Sequence, residues 1–298
     1  MRDRSPGPAT RRLSVWLTGQ RDHVTQLHDS GYVPGTEADT DRVPPAIAGH
    51  AITAYTHPGE LVLDPDCGTG TVLTEALRAG RHTLGLTSDA RWWAIARANV
   101  TAARRDGACH DGSVLDAEPK TLATARAAGL VGRVGLVLTA LRTTTADPAG
   151  PERDLDSAFN NVATTLNHCE PLLRPGGHLI VIARPVRHPD GSLADVTTRL
   201  ITAGVTARLI AVDRCVALTA ELRGNRLITR ATFAERRAAR SCATGTPFAL
   251  TAHHEVLVFQ RAADTELVSA ATHRQTSPMQ TTRHNLSGLE DQARRRVA

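Results

Sequence analysis

Short apolar runs alternate along this chain with longer stretches whose apolar residues recur every three to four positions. "ELVLD" (60–64) is an apolar run ending in an acid. It is followed by "TVLTEALRAGR" (71–81), where Val72, Leu73, Ala76 and Leu77 share one helical face and Gly80 provides the stop. "HTLGLT" (82–87) predicts a second strand, and "DARWWAIARANVTAARR" (89–105) a second helix with Asp89 as its N-cap. The pattern continues with a helix over 115–130, a strand over 133–139, a helix over 155–173 and a strand over 176–185 opened by Pro175-Gly176-Gly177. A helix near 191–203, an extended stretch over 206–222, a turn at Gly224-Asn225 leading into a strand over 226–233, and a strand over 254–261 complete the body. Strands alternating with helices predict an α/β fold: a mostly parallel sheet with helices on both faces and an antiparallel edge near the end.

The ends break this pattern. Residues 1–12 are polar and basic, and 262–298 show little periodicity, so the expected organisation is a flexible N-terminus (1–12), one domain (13–261) and a disordered tail (262–298) in which only "LEDQARRR" could form a helical turn or two. The formal charge of +5 sits mainly at these ends, with +3 on residues 1–12, +1 on 262–298 and +1 on the body, so net charge says little about partners. No long apolar run predicts a membrane span, and the start lacks the apolar centre of a secretory signal; the expected location is cytoplasmic. The five cysteines form no C-x-x-C pair, so neither a metal site nor a disulfide framework is expected.

Candidate chemistry begins where the first strand runs into Asp64-Pro65-Asp66-Cys67-Gly68-Thr69-Gly70-Thr71 and then a helix. Two glycines allow a tight turn and close approach of a ligand, and the helix start offers free N–H groups for an anion. The loop is neither a P-loop, since no G-K-[ST] follows, nor a full G-x-G-x-x-G dinucleotide fingerprint, which disfavours a Rossmann-type oxidoreductase.

The D-P-x-C-G-T-G-T pattern resembles the first motif of class I S-adenosylmethionine-dependent methyltransferases. It is most similar to the exocyclic-amine (adenine-N6 or cytosine-N4) DNA methyltransferases and their RNA N2-guanine relatives. "RVPPAIAGHAITAYTHPGE" (42–60), "GRHTLGLTSDARWWAIARANV" (80–100) and "LLRPGGHLIVIARP" (172–185) resemble three further segments of that family. The resemblance implies a Rossmann-like class I methyltransferase fold with a seven-stranded sheet, and S-adenosylmethionine as cofactor. It implies that Asp64, Pro65, Cys67, Gly68, Thr69, Gly70 and Thr71 hold the methionine portion, with 42–60 closing over it.

Three family positions differ. The ribose acid is Thr87, with Asp89 two residues on and better placed as an N-cap. The Gly-Asp that meets the adenine is represented by Gly112-Ser113, with Asp111 and Asp116 off the family's spacing. The D/N/S-P-P-Y/F motif, which accepts hydrogen bonds from the target amine and stacks the flipped base, is Ala140-Leu141-Arg142-Thr143. Ala140 has no acceptor, Arg142 only donates, and no aromatic residue lies between Trp93 and Phe159. Two readings follow: a methyltransferase with weak or absent base-amine activity, and a non-catalytic cofactor- or nucleic-acid-binding module on the same fold.

Elsewhere, 221–240 carries Arg223, Arg226, Arg230, Arg236, Arg237 and Arg240 against two acids, a stripe that could contact phosphates or be a solvated face. Trp16 and Tyr32 are the remaining candidates for stacking a base, or else pack the N-terminal segment onto the domain. His253 and His254 are expected on an edge strand, facing opposite ways, and His50, His57 and His110 at surface or cap positions.

Overall fold

In the computed structural model, residues 12–125, 129–143, 155–188, 192–231, 233–240 and 249–262 are described. The terminal segments expected to be flexible, apart from Arg12 and Ala262, lie outside them.

The sheet has eight strands rather than seven, in the order β1-β7-β10-β6-β5-β2-β3-β4. Its parallel centre consists of β2 (Leu61–Asp64), β3 (His82–Thr87), β4 (Gly112–Asp116), β5 (Val134–Ala140) and β6 (Leu173–Ala183). The antiparallel strand β10 (His253–Arg261) is inserted between β6 and β7 (Leu209–Leu218). The additional strand is β1 (Val15–Trp16), a two-residue addition parallel to β7. It forms because Trp16 is an anchor, 1% exposed and donating its indole N–H to the Leu13 carbonyl.

Along β5, alternate residues serve two cores, as a strand's two-residue period requires. Val137 joins Phe159, Val162 and Leu166 of α6 (Leu155–Cys169) and Val196 and Leu200 of α7 (Val196–Thr206). Leu136 and Leu138 face the other way, with Ile47 and Ile52 of α2 (Pro45–Tyr55) and Val72 and Ala76 of α3 (Thr71–Arg78). A smaller cluster joins α3 to α4 (Ala90–Arg105) through Leu73, Leu77, Ala96 and Val100. Two further helices are α1 (His23–Asp29) and α8 (Phe233–Arg240), and β8 (Glu221–Arg223) pairs with β9 (Arg226–Ile228) across the expected Gly224-Asn225 turn.

Further expectations change, and the strand expected over 226–233 ends at Ile228, with Phe233 opening α8. The helix over 115–130 is replaced by the end of β4, a 3-10 turn at Pro119–Thr121 and a short helix α5 at Leu122–Ala125. Extended structure over 206–222 is shorter, because α7 runs to Thr206. His253 and His254 lie in an interior strand, where His254 is buried and its ring meets that of His23 edge-on at 6.2 Å. Among the described residues, no helix is long and apolar enough to cross a membrane.

Candidate functional site

β2 delivers Asp64 to the carboxyl edge of the sheet, where its side chain is 3% exposed and accepts from the Asp66 N–H at 3.2 Å. Burial pushes the Asp64 carboxyl up to about 8, an effect that Arg142 only partly offsets. The loop then folds tightly on itself. Cys67 N–H bonds the Leu86 carbonyl of β3 at 2.8 Å and Gly70 N–H bonds the Cys67 carbonyl at 2.8 Å. Gly68 (φ +48°) and Gly70 (φ +80°) take left-handed conformations, so glycine is required at both on backbone grounds. The Thr71 hydroxyl, at the start of α3, donates to the Val43 carbonyl at 2.8 Å, which joins the loop to the segment entering α2. Cys67 is buried and its thiol is pushed well above its ordinary range by that burial, so it acts as packing.

The segment after β5 reaches back to this loop. Ala140 ends the strand, and Leu141 is 5% exposed with its N–H on the Ile182 carbonyl at 2.8 Å. Arg142 turns inward, against Gly68. Its guanidinium donates to both Asp39 carboxylate oxygens, at 2.8 and 2.9 Å, and its Nε to the Asp66 carbonyl at 3.2 Å. Asp39 Oδ2 also accepts from the Thr69 N–H at 3.1 Å and the Thr69 hydroxyl at 3.4 Å. Thr143 N–H bonds Asp41 at 2.9 Å, and the Arg184 guanidinium bonds the Thr40 carbonyl. Residues 39–41 are thereby held by Arg142 and Thr143 after β5 and by Arg184 after β6.

Burial alone would raise the Asp39 carboxyl, but Arg142 and the Thr69 N–H outweigh it and hold the group below its ordinary range. Burial alone would lower Arg142, and the acids around it, Asp39 first, drive it well above its ordinary value.

Beside the pair opens a cavity of about 410 Å³, lined in part by Asp66, Ser88, Glu118, Lys120, Thr139 and Asn161. Lys120 and Glu118 form an ion pair across 2.6 Å at its rim. Thr87 ends β3 next to it in sequence, buried, with Asp116 of β4 directly opposite in register. Asp89 is occupied as the α4 N-cap, accepting from Arg91 N–H at 2.8 Å and Trp92 N–H at 3.2 Å. Ser113 is elsewhere: it is an exposed residue opposite Leu84, near the beginning of β4, and the carboxyl end of that strand is Asp116.

Two residues of the site carried no motif. Asp39 lies in a polar stretch and follows a 3-10 turn (Thr36–Ala38). Asn99 is 1% exposed in α4 and makes three bonds of 2.9 Å: it accepts from Val33 N–H and donates to the Thr36 hydroxyl and the Thr69 carbonyl. The signal for Asn99 was available, since it shares a helical face with Trp92, Ala96, Val100 and Ala103, where an amide must find partners. As expected, the N-terminal aromatics pack inward: the Tyr32 hydroxyl meets Glu75 at 2.7 Å, and Trp16 is buried.

Among the arginines of 221–240, Arg223 pairs with Glu221 at 2.8 Å, and Arg230 donates to the Gly19 and Gln20 carbonyls at 3.2 and 3.0 Å. Arg226, Arg236, Arg237 and Arg240 are exposed. No group of His, Cys, Asp and Glu that could hold a metal occurs among the described residues.

Residues 11–97 match a family of N6/N4 methyltransferases described as DNA methylase. No curated protein matches the chain. Among solved structures, the chain is similar to an S-adenosylmethionine-dependent methyltransferase from Agrobacterium tumefaciens, at 15% identity and a TM-score of 0.47, over 74% of this chain and 63% of that one. It thus spans less than two thirds of that protein. It is also similar to geranyl diphosphate C-methyltransferase from Streptomyces coelicolor A3(2), at 14% identity and a TM-score of 0.46, over 74% of this chain and 78% of that one. A third similar structure is magnesium protoporphyrin IX methyltransferase from Synechocystis PCC 6803, at 13% identity and a TM-score of 0.46, over 82% and 89% of the two chains. Residues 11–97 are thus similar to the N6/N4 DNA methylases, on an α/β fold built around a mostly parallel sheet.

Proposed function

We propose that the chain binds an adenosine-type nucleoside, the nucleoside portion of S-adenosylmethionine included, in the cleft over β2, β3 and β5, and that it does not methylate base amines. The observation that carries this reading is the fate of the segment after β5. Base-amine methylation needs an acceptor that draws on the amine's protons while its lone pair attacks the methyl group. Ala140 offers no side-chain acceptor, Leu141 is spent on the core, and Arg142 is a donor locked against the glycine loop.

The nucleoside end of the cofactor fits the residues present. The cavity is large enough for a nucleoside and carries hydroxyl, amide and charged groups at Ser88, Thr139, Asn161, Glu118 and Lys120. The amino-acid end does not fit, because the Asp39 carboxylate and the Arg142 guanidinium already lie on Gly68. Bound S-adenosylmethionine would supply an electrophilic methyl group; this chain's residues contribute a binding cleft and no group that activates an amine.

The test is transfer of radiolabelled methyl from S-adenosylmethionine to DNA and RNA. Neither polymer is expected to gain label above a heat-denatured control, and incorporation that follows the folded protein overturns the reading.

As a partner, nucleic acid is favoured by the four exposed arginines of β9 and α8, Arg226, Arg236, Arg237 and Arg240. Arg236→Glu with Arg237→Glu is expected to weaken binding to a DNA duplex and flatten its salt dependence. Binding that ignores these changes removes that surface from consideration.

A further inference from the structure

We infer that Asp39 and Arg142 form an internal plug that stands in for the amino-acid end of a ligand, so that the cleft prefers 5′-substituted adenosines lacking that end. The inference rests on the nucleoside reading above and concerns the same cleft.

An amino-acid group presents one carboxylate and one cation a few ångströms apart. The glycine loop is already supplied with both. The Asp39 carboxylate takes the Thr69 N–H, the donor a ligand carboxylate would seek at this turn. The Arg142 guanidinium takes the acidic side of the loop, with Nε on the Asp66 carbonyl at 3.2 Å and 3.5 Å from the Asp66 carboxylate.

The fit is close enough to exclude another occupant. A methyl-sized group on Gly68 would come within 1.9 Å of an Arg142 nitrogen and 2.0 Å of an Asp39 oxygen. Both side chains are nearly sealed, at 2% exposure for Asp39 and 11% for Arg142. Each is also held from behind. Asp39 follows the turn that Asn99 ties to Thr69, and the residue after Arg142 is bonded through its N–H to Asp41. A ligand with an amino-acid end must break this assembly, whereas one without it needs only the open cavity alongside.

The energetic consequence follows from population. If the unplugged state is a minor one, affinity for any ligand that requires it falls by the fraction unplugged. S-adenosylhomocysteine carries the amino-acid end, and 5′-methylthioadenosine is a matching nucleoside without it.

Calorimetry with these two compounds tests the plug, on the full chain and on the double variant Asp39→Ala with Arg142→Ala, which leaves neither charge orphaned. The wild type is expected to bind 5′-methylthioadenosine at least about tenfold more tightly than S-adenosylhomocysteine. In the double variant the ratio is expected to move by about tenfold or more toward S-adenosylhomocysteine. Should that variant fail to fold, the Arg142 Nε–H signal in the wild type replaces it. Protection from exchange should be lost with S-adenosylhomocysteine bound and kept with 5′-methylthioadenosine. Binding of 5′-methylthioadenosine with no change in the ratio, or a protected Arg142 signal under bound S-adenosylhomocysteine, overturns the plug alone. If neither compound binds either protein, the nucleoside reading falls and the plug falls with it.

Discussion

Two loops leave neighbouring parallel strands at the same edge of the sheet, one after β2 and one after β5, and they have gone different ways. The loop after β2 keeps its glycines and its left-handed turns, and its buried Thr69 N–H is taken by Asp39. The segment after β5 aims its Arg142 side chain at the first loop instead of at a substrate. The first is shaped by backbone geometry, which tolerates no side chain at Gly68. The second is shaped by a buried ion pair, which tolerates no loss of a partner. Two neighbouring loops of one cleft are therefore fixed by different means, one by its backbone turns and the other by a buried charge pair.

The most damaging way to break that relation is Gly68→Ala. The new Cβ collides with both members of the pair, and φ +48° strains any side chain there. Urea unfolding should show a loss of about 4 kcal/mol or more, the sum of backbone strain and a disrupted buried pair. Arg142→Ala comes next, at about 3–5 kcal/mol, because it leaves the Asp39 carboxylate buried without its cation. Adding Asp39→Ala should return much of that loss. A double variant no more stable than Arg142→Ala would mean that the two side chains act independently.

The same logic governs any attempt to rebuild a family-like motif after β5. Arg142→Pro strands Asp39, Leu141→Pro removes the N–H that bonds the Ile182 carbonyl, and both changes fall next to a core residue position. Together with Ala140→Ser and Thr143→Tyr, the rebuilt segment is expected to unfold at a lower temperature than the wild type. Asp39→Asn in the same chain should recover part of the difference, which differential scanning calorimetry would read directly.

Asn99 joins the first loop to residues 33–36, so Asn99→Ala should cost about 2–3 kcal/mol by leaving a backbone N–H and a carbonyl without partners. In the comparison of the two loops it is a control. It should loosen Thr69 while the Arg142 hydrogen bonds to Asp39 persist, and hydrogen exchange at the two sites distinguishes these effects.

Much of the scaffold was legible because local signals agreed with tertiary demand. The strand over 82–87 begins and ends as the apolar pattern predicts, Asp89 caps α4, and Gly224-Asn225 turns a hairpin. β4 was missed because it is an edge strand. Its residues are exposed or half-buried, so it carries no apolar run, and the residues after it mimic a helical period. His254 was misplaced because a histidine in a strand suggests exposure, while here it is buried against His23 at the start of an interior strand. The glycine loop announced itself in sequence, since its function lies in consecutive residues. The Asp39–Arg142 pair could not, because its members lie 103 positions apart and neither belongs to a periodic pattern.

The smallest expected effect separates two acids at the first loop, Asp64 within it and Asp39 packed against it. Asp39 is depressed by its cation, so its contribution is complete above the ordinary carboxylate pKa of 3.8 and is lost as pH falls through its lower folded value. Asp64 runs the other way. Its carboxyl is raised to about 8, so the folded state holds a proton that the unfolded chain releases above 3.8, and stability declines with rising pH until about 8. Asp64→Asn reproduces the protonated form without the titration. It should leave stability near pH 4 unchanged and raise it at pH 8, on the order of 1–2 kcal/mol once relaxation around the charge is allowed for. The checking measurement is the difference in unfolding free energy between wild type and variant across that range. A constant difference would mean that Asp64 is ionised throughout, and that the Arg142 guanidinium, less than fully committed to Asp39, serves both carboxylates.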